Sequence, residues 1–244
     1  KKDWYIDWYR KTPLFIAVEK ENIEIFKLLF NYPYTWINKK SVIKNEYLFD
    51  EYTVLKLAIE KENIEIIQFL LSVKSFDINE SFVSGLDKFK KYEKSYLHIA
   101  IKKGNIKILQ LLLSNKKINP NLLYKCEFIN QKYDSNEKLE IKTPLQIAVE
   151  QNNLEIAQLL LSIKKVKINY VCQDCEVNDS NKITKKYTSL AFAVKNNQID
   201  MVRILMSRSD ININAIYSQY EYDYEKRTKN REDKTALILA IENQ

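Results

Sequence analysis

Glycine is nearly absent from this chain, with 2 in 244 residues, and proline is scarce, with 4. Two glycines cannot build a glycine-rich phosphate loop, and no Gly/Ser or Pro-rich linker divides the chain. There is one histidine, His98, and there are three cysteines. A lone histidine excludes a His-Glu-x-x-His metalloenzyme. So small and odd a number of cysteines excludes a disulfide framework. No nucleophile elbow is present, and no carboxylate pair stands in a recognisable catalytic setting. No apolar run approaches the ~20 residues needed to span a bilayer, and no secretory signal opens the chain. Lys1 is not a start methionine, so the amino end reads as incomplete. These absences point to a non-enzyme without cofactor or membrane span, in a reducing intracellular compartment, cytoplasmic or cytoskeletal.

What the chain has instead is repetition. A cassette Thr/Ser-x-Leu-x-x-Ala starts at Thr12, Thr53, Ser95, Thr143, Thr188 and Thr235. In the copy at Thr143, the threonine is a natural N-cap and Pro144 occupies the first helical position, where proline is tolerated. Leu145, Ala148 and Val149 then share one helical face. Asn152 and Asn153 end that helix, and Leu154–Leu161 forms a second, more apolar one. The second helices of the other copies carry the same pattern, as in Ile64/Ile66/Ile67/Leu70/Leu71. An Ile-Asn exit follows at Ile37-Asn38, Ile78-Asn79, Ile118-Asn119, Ile168-Asn169 and Ile213-Asn214. It lies 25 residues from the cassette start in four copies and 23 in the copy at Ser95. Such a period is the signature of a stacked solenoid.

These cassettes resemble the ankyrin repeat, whose Thr-Pro-Leu-His-x-Ala opening is matched at Thr143-Pro144-Leu145 and at Leu97-His98-Ile99-Ala100. The resemblance implies an all-α helix-turn-helix solenoid and a protein-binding role. It covers residues 12–244 as one array. Residues 1–11 form a cap or part repeat, full repeats start at 12, 53, 95, 143 and 188, and a partial sixth spans 235–244. It also implies that His98 hydrogen-bonds within its repeat. Cassette starts are 41, 42, 48, 45 and 47 residues apart, against a family period of about 33. The excess falls between each Ile-Asn exit and the next cassette, as long finger or loop insertions. The family's glycine at the helix–helix turn is kept only at Gly104. Glu21 and Glu62 stand there in two copies, which implies either a different turn or accepted strain.

In ankyrin-like stacks the first helices and fingers line the concave face. The partner-binding candidates are therefore Lys20, Lys61 and Lys103 on first helices. On the fingers they are Tyr47, Tyr52, Lys90, Lys91, Tyr92, Lys185, Lys186, Tyr187, Tyr220, Tyr222, Tyr224 and Arg227. Tyrosine combines contact area with a polar tip and is enriched at interfaces. The partner expected is one or more proteins, acidic or cytoskeletal, with further repeats or a partner beyond Gln244. The formal charge of +7 supports an alternative, an electrostatic binder of an acidic polymer such as an acidic protein tail or nucleic acid. Scarce arginine weighs against nucleic acid. Cys126, Cys172 and Cys175 read as reduced thiols, with a zinc site completed by an Asp or His98 as the alternative. Trp4 and Trp8, one helical turn apart, read as a helix or cap over the first repeat.

Overall fold

Each cassette threonine does what its chemistry dictates. In the computed structural model, which describes residues 8–31, 40–44, 49–87, 90–128, 137–177 and 180–242, Thr12, Thr53, Thr143 and Thr188 hold the extended N-cap conformation. Each hydroxyl accepts a backbone N–H three residues on, at 3.1–3.3 Å. In the copy at Ser95 a capping box replaces this: His98 Nδ1 accepts the Ser95 N–H at 3.0 Å and lies 2.9 Å from its hydroxyl.

The described chain divides into two units, Lys1–Asn119 and Pro120–Gln244. The first contains β1 (Trp8–Arg10), α1 (Pro13–Glu19), α2 (Ile23–Phe30), β2 (Ser41–Lys44), β3 (Phe49–Tyr52), α3 (Val54–Glu60), α4 (Ile64–Ser72), β4 (Ser81–Asp87), β5 (Lys90–Ser95), α5 (Tyr96–Lys103) and α6 (Ile106–Ser114). The second contains β6 (Tyr124–Phe128), β7 (Glu137–Lys142), α7 (Pro144–Glu150), α8 (Leu154–Leu161), β8 (Cys172–Val177), β9 (Asn181–Tyr187), α9 (Ser189–Lys195), α10 (Ile199–Met206), β10 (Ile216–Asp223), β11 (Thr228–Thr235) and α11 (Ala236–Glu242).

Within each unit, first helices pack on first helices (α1, α3, α5; α7, α9, α11) and second helices lie behind them. The core fills the space between the two layers. Leu55, Ile59, Ile66, Ile67 and Leu70 are fully or almost fully buried in the first unit, and Leu145, Val149, Ile156, Leu160 and Met201 in the second. The turn between helices places one residue at positive φ in every complete copy: Glu21 (54°), Glu62 (56°), Gly104 (70°), Asn152 (50°) and Asn197 (53°). The two glutamates therefore accept the left-handed strain, about 1–2 kcal/mol each. Their side chains have a use there, since Glu21 pairs with Lys61 at 3.6 Å and Glu62 with Lys103 at 3.5 Å in the next repeat. The next residue, Asn22, Asn63, Asn105 or Asn153, caps the second helix through its side-chain oxygen at 2.9–3.1 Å.

The all-α expectation is overturned by the fingers. They are antiparallel β-hairpins, and neighbouring hairpins pair edge to edge. β1 to β5 run in order in the first unit and β6 to β11 in the second. The molecule is thus an α+β repeat structure. The physical reason is a match of spacings: stacked helices sit ~8–10 Å apart, and two strands at ~4.8 Å each occupy the same rise. Once helix pairs stack, the hairpins arrive at pairing distance, and pairing satisfies backbone groups that loops would leave to solvent.

Two smaller readings also change. Trp8 opens a strand, not a helix, and Trp4 lies outside the described residues. In the copy at Ser95 the residue equivalent to Asn79 and Asn169 is Asn121, 26 residues from the cassette start in each case. Asn121 donates to the Lys165 carbonyl and accepts the Lys167 N–H, both at 2.8 Å, as Asn169 does with Asp210 and Asn212. The apparent two-residue shortening came from aligning Ile118-Asn119 to the wrong pair.

Candidate functional site

The residue just before each cap stands at or beside the end of a strand, and the residue eight further on lies in the last turn of the first helix. Three copies place Lys and Glu there: Lys11–Glu19 at 2.7 Å, Lys142–Glu150 at 3.0 Å and Lys234–Glu242 at 2.8 Å. The strand end is thereby clipped to the last helical turn, which forms a corner between first helices and sheet.

In the second unit this corner holds a charge cluster. Lys142, 8% exposed, also lies 3.4 Å from Glu140 and 3.5 Å from Asp174. Burial alone would lower its pKa, but Glu150, Asp174 and Glu140 outweigh that and raise it to about 12. Burial pushes Glu150 up despite Lys142. The Tyr187 hydroxyl donates to Asp174 and lies 3.2 Å from Glu150. Tyr187 also stacks on Tyr217, and the Lys195 ammonium donates to the Tyr217 hydroxyl at 2.6 Å while lying 3.9 Å from the ring centroid.

In the first unit Lys56, 3% exposed, donates to Asp50 and to the Glu51 carbonyl beneath the rings of Tyr52 and Phe82. Burial, then Glu60 and Asp50, push the Tyr52 hydroxyl far above its ordinary range. The copy at Ser95 departs from the pattern. Its pair is Lys94 and Lys102, two cations. Burial first, then Lys102 and Lys56, lower the Lys94 pKa.

A family model described as ankyrin repeats (3 copies) matches residues 37–124 and 121–217. That span is well over half of the 244 residues. The chain belongs to the ankyrin-repeat family. No curated protein matches it. Ankyrin repeats are protein–protein interaction modules, generally non-catalytic.

Onto this ankyrin frame the candidate residues fall unevenly. Lys20, Lys61 and Lys103 are exposed at the ends of α1, α3 and α5, with Lys61 and Lys103 pairing to the preceding repeat's turn glutamates. Tyr52 is half-buried against Phe15. Lys91 is exposed, and half-buried Tyr92 sits 4.9 Å from the Lys94 ammonium. Lys90 opens β5. Lys186 is exposed, Lys185 is half-buried, and Tyr187 is 1% exposed, so its ring belongs to the core. Tyr220 and Tyr222 are half-buried on β10. Tyr224 and Arg227 are exposed in the hairpin turn, Arg227 at φ 54°. Tyr47 lies outside the described residues. The Lys–Glu clips were missed, although Lys before the cap and Glu eight residues on recur three times in the sequence.

Cys126, Cys172 and Cys175 are buried free thiols. Cys172 and Cys175 are three apart on β8, so they point to opposite faces of the sheet, which denies the zinc alternative a common centre. Among the described residues no group of three or more His, Cys, Asp or Glu is placed to hold a metal ion. Burial raises the Cys126 thiol and pushes Cys172 up to about 12. Among the described residues no helix is long and apolar enough to cross a membrane.

Proposed function

We propose that the chain is a non-catalytic scaffold whose six repeats act as one array. It would hold a partner protein in the corner between first helices and fingers, as part of a larger intracellular assembly such as the cytoskeleton. The observation that carries this reading is the cation pair Lys94/Lys102, standing where three other copies hold a Lys–Glu clip. Where those copies pair a lysine with a glutamate, this one sets two cations in a partly buried corner beside Tyr92, and Asp50 and Glu60 of the preceding repeat offset the Lys94 charge only in part. An acidic side chain of a partner would complete the clip in trans. Desolvation strengthens such a pair relative to one in open water. Three buried thiols fit a reducing compartment.

Lys102→Glu tests the reading, because it rebuilds the clip within the chain. Capture of a specific partner from native lysate on immobilised protein should fall about tenfold, equivalent to ~1.4 kcal/mol, while thermal stability holds or rises. Capture equal to that of the unsubstituted chain would overturn the proposal. Lys94→Met, which removes the half-buried cation, should also weaken capture.

A further inference from the structure

In the second unit the two faces of the β9–β11 sheet differ in charge. The face turned toward the helices mixes charges, Glu221, Asp223 and Glu232 with Lys185 and Lys234, as the alternation from Tyr187 and Tyr217 requires. The opposite face carries cations. Tyr222 pairs with Lys182 on one side and Lys229 on the other, and Tyr220 pairs with Thr184 and Arg231. Lys186 shares that face one step along β9. Lys182, Lys186, Lys229 and Arg231 are all exposed. Among the described residues of these strands the face has one carboxylate, Asp233, and it is tied to Arg231 at 2.7 Å. No ion pair among the described residues involves Lys182, Lys186 or Lys229.

We propose that this outer face is a second docking surface, which takes an extended acidic segment of a polypeptide laid along the two tyrosines between their flanking cations. Charge complementarity selects the acidic partner. Alternate side chains of an extended chain repeat every ~7 Å, the spacing of Tyr220 and Tyr222 on one strand. The same residues disfavour single-stranded nucleic acid, which needs open aromatic faces and free guanidinium forks. The Tyr220 ring has the Arg231 guanidinium 5.0 Å from its centroid, Tyr222 has Tyr224 against it at 5.1 Å, and the only arginine of the four cations is held by Asp233. The surface is independent of the Lys94/Lys102 corner.

The test is fluorescence anisotropy with a short labelled poly-L-glutamate peptide and, separately, an oligothymidylate of similar length, at low and high salt. The unsubstituted chain should bind polyglutamate with affinity falling at high salt. The variant Lys182→Glu/Lys186→Glu/Lys229→Glu/Arg231→Glu should bind about tenfold or more weakly. Lys182→Gln/Lys186→Gln/Lys229→Gln leaves Arg231 in place and should show a smaller loss, which keeps the test open if the first variant folds poorly. Lys102→Glu should bind polyglutamate as the unsubstituted chain does, which separates this surface from the proposed corner. Failure of polyglutamate to bind, or binding equal in the charge-reversed variant, would overturn the inference. So would tighter binding of the oligonucleotide that the same variant abolishes.

Discussion

Replacing Lys142 by methionine tests how the corner of the second unit is held. Methionine roughly keeps the length and removes the charge. In the folded chain the ammonium meets Glu150 at 3.0 Å, Glu140 at 3.4 Å and Asp174 at 3.5 Å, with 11% of the lysine side chain exposed and 16–22% of each partner. Removing one member of a buried ion cluster costs ~3–5 kcal/mol, because the remaining charges are left uncompensated. Partial exposure of the carboxylates places this case near the lower end, about 3 kcal/mol, or roughly 6–12 °C in Tm for a chain of this size. The loss must depend on pH. Burial already pushes Glu150 up, and without Lys142 the charge that holds it down is gone, so its folded pKa rises further above the unfolded value near ~4. A group whose folded pKa is raised gives stability at low pH and loses it as pH rises through the folded value. The deficit should therefore be small near pH ~4 and complete by pH ~7. In the unsubstituted chain the Lys142 contribution is present below the ordinary lysine range and is lost only as pH climbs through about 12. Urea unfolding of both proteins at several pH values measures this. A deficit of equal size at pH ~4 and ~7 would refute the electrostatic account and leave only packing.

Glu62→Gly and Glu62→Ala lose the same pairing with Lys103, and differ only in what stands at φ 56°. The glycine variant should be more stable by about 1 kcal/mol in urea unfolding, and equal stabilities would show that the turn is unstrained. At pH ~8 the Cys172 thiol, 0% exposed and pushed up to about 12, should hold about a thousandfold less thiolate than an ordinary cysteine. A thiol-reactive dye should therefore label it in urea and spare it in buffer. Rapid labelling of Cys172 without denaturant would contradict its burial.

Much of this was legible in the residues. Thr12, Thr53, Thr143 and Thr188 announce helix starts because a cap acts over three residues. The paired apolar faces announce two layers because helical contacts fall at i+3 and i+4. The fingers were read as loops because their alternation is diluted by charge. Strands such as Thr228–Thr235 are polar on both faces and carry no amphipathic signal. The tyrosines were read as one class of contact residue, but strand alternation sends Tyr187 and Tyr217 into the core and leaves Tyr220 and Tyr222 on the outer face.

Local chemistry in the chain alone thus determined the repeat period, the caps, the helix pairs and the oily layer between them, since each depends on neighbours a few residues away. Only the tertiary structure decided that the fingers join as sheets, that Lys142 gathers three carboxylates, and that the cations of β9 and β11 flank the same two tyrosines. Those meetings reach across as many as 47 positions, from Lys182 to Lys229, and the long-range ones form only when stacking the helix pairs brings successive hairpins to hydrogen-bonding distance.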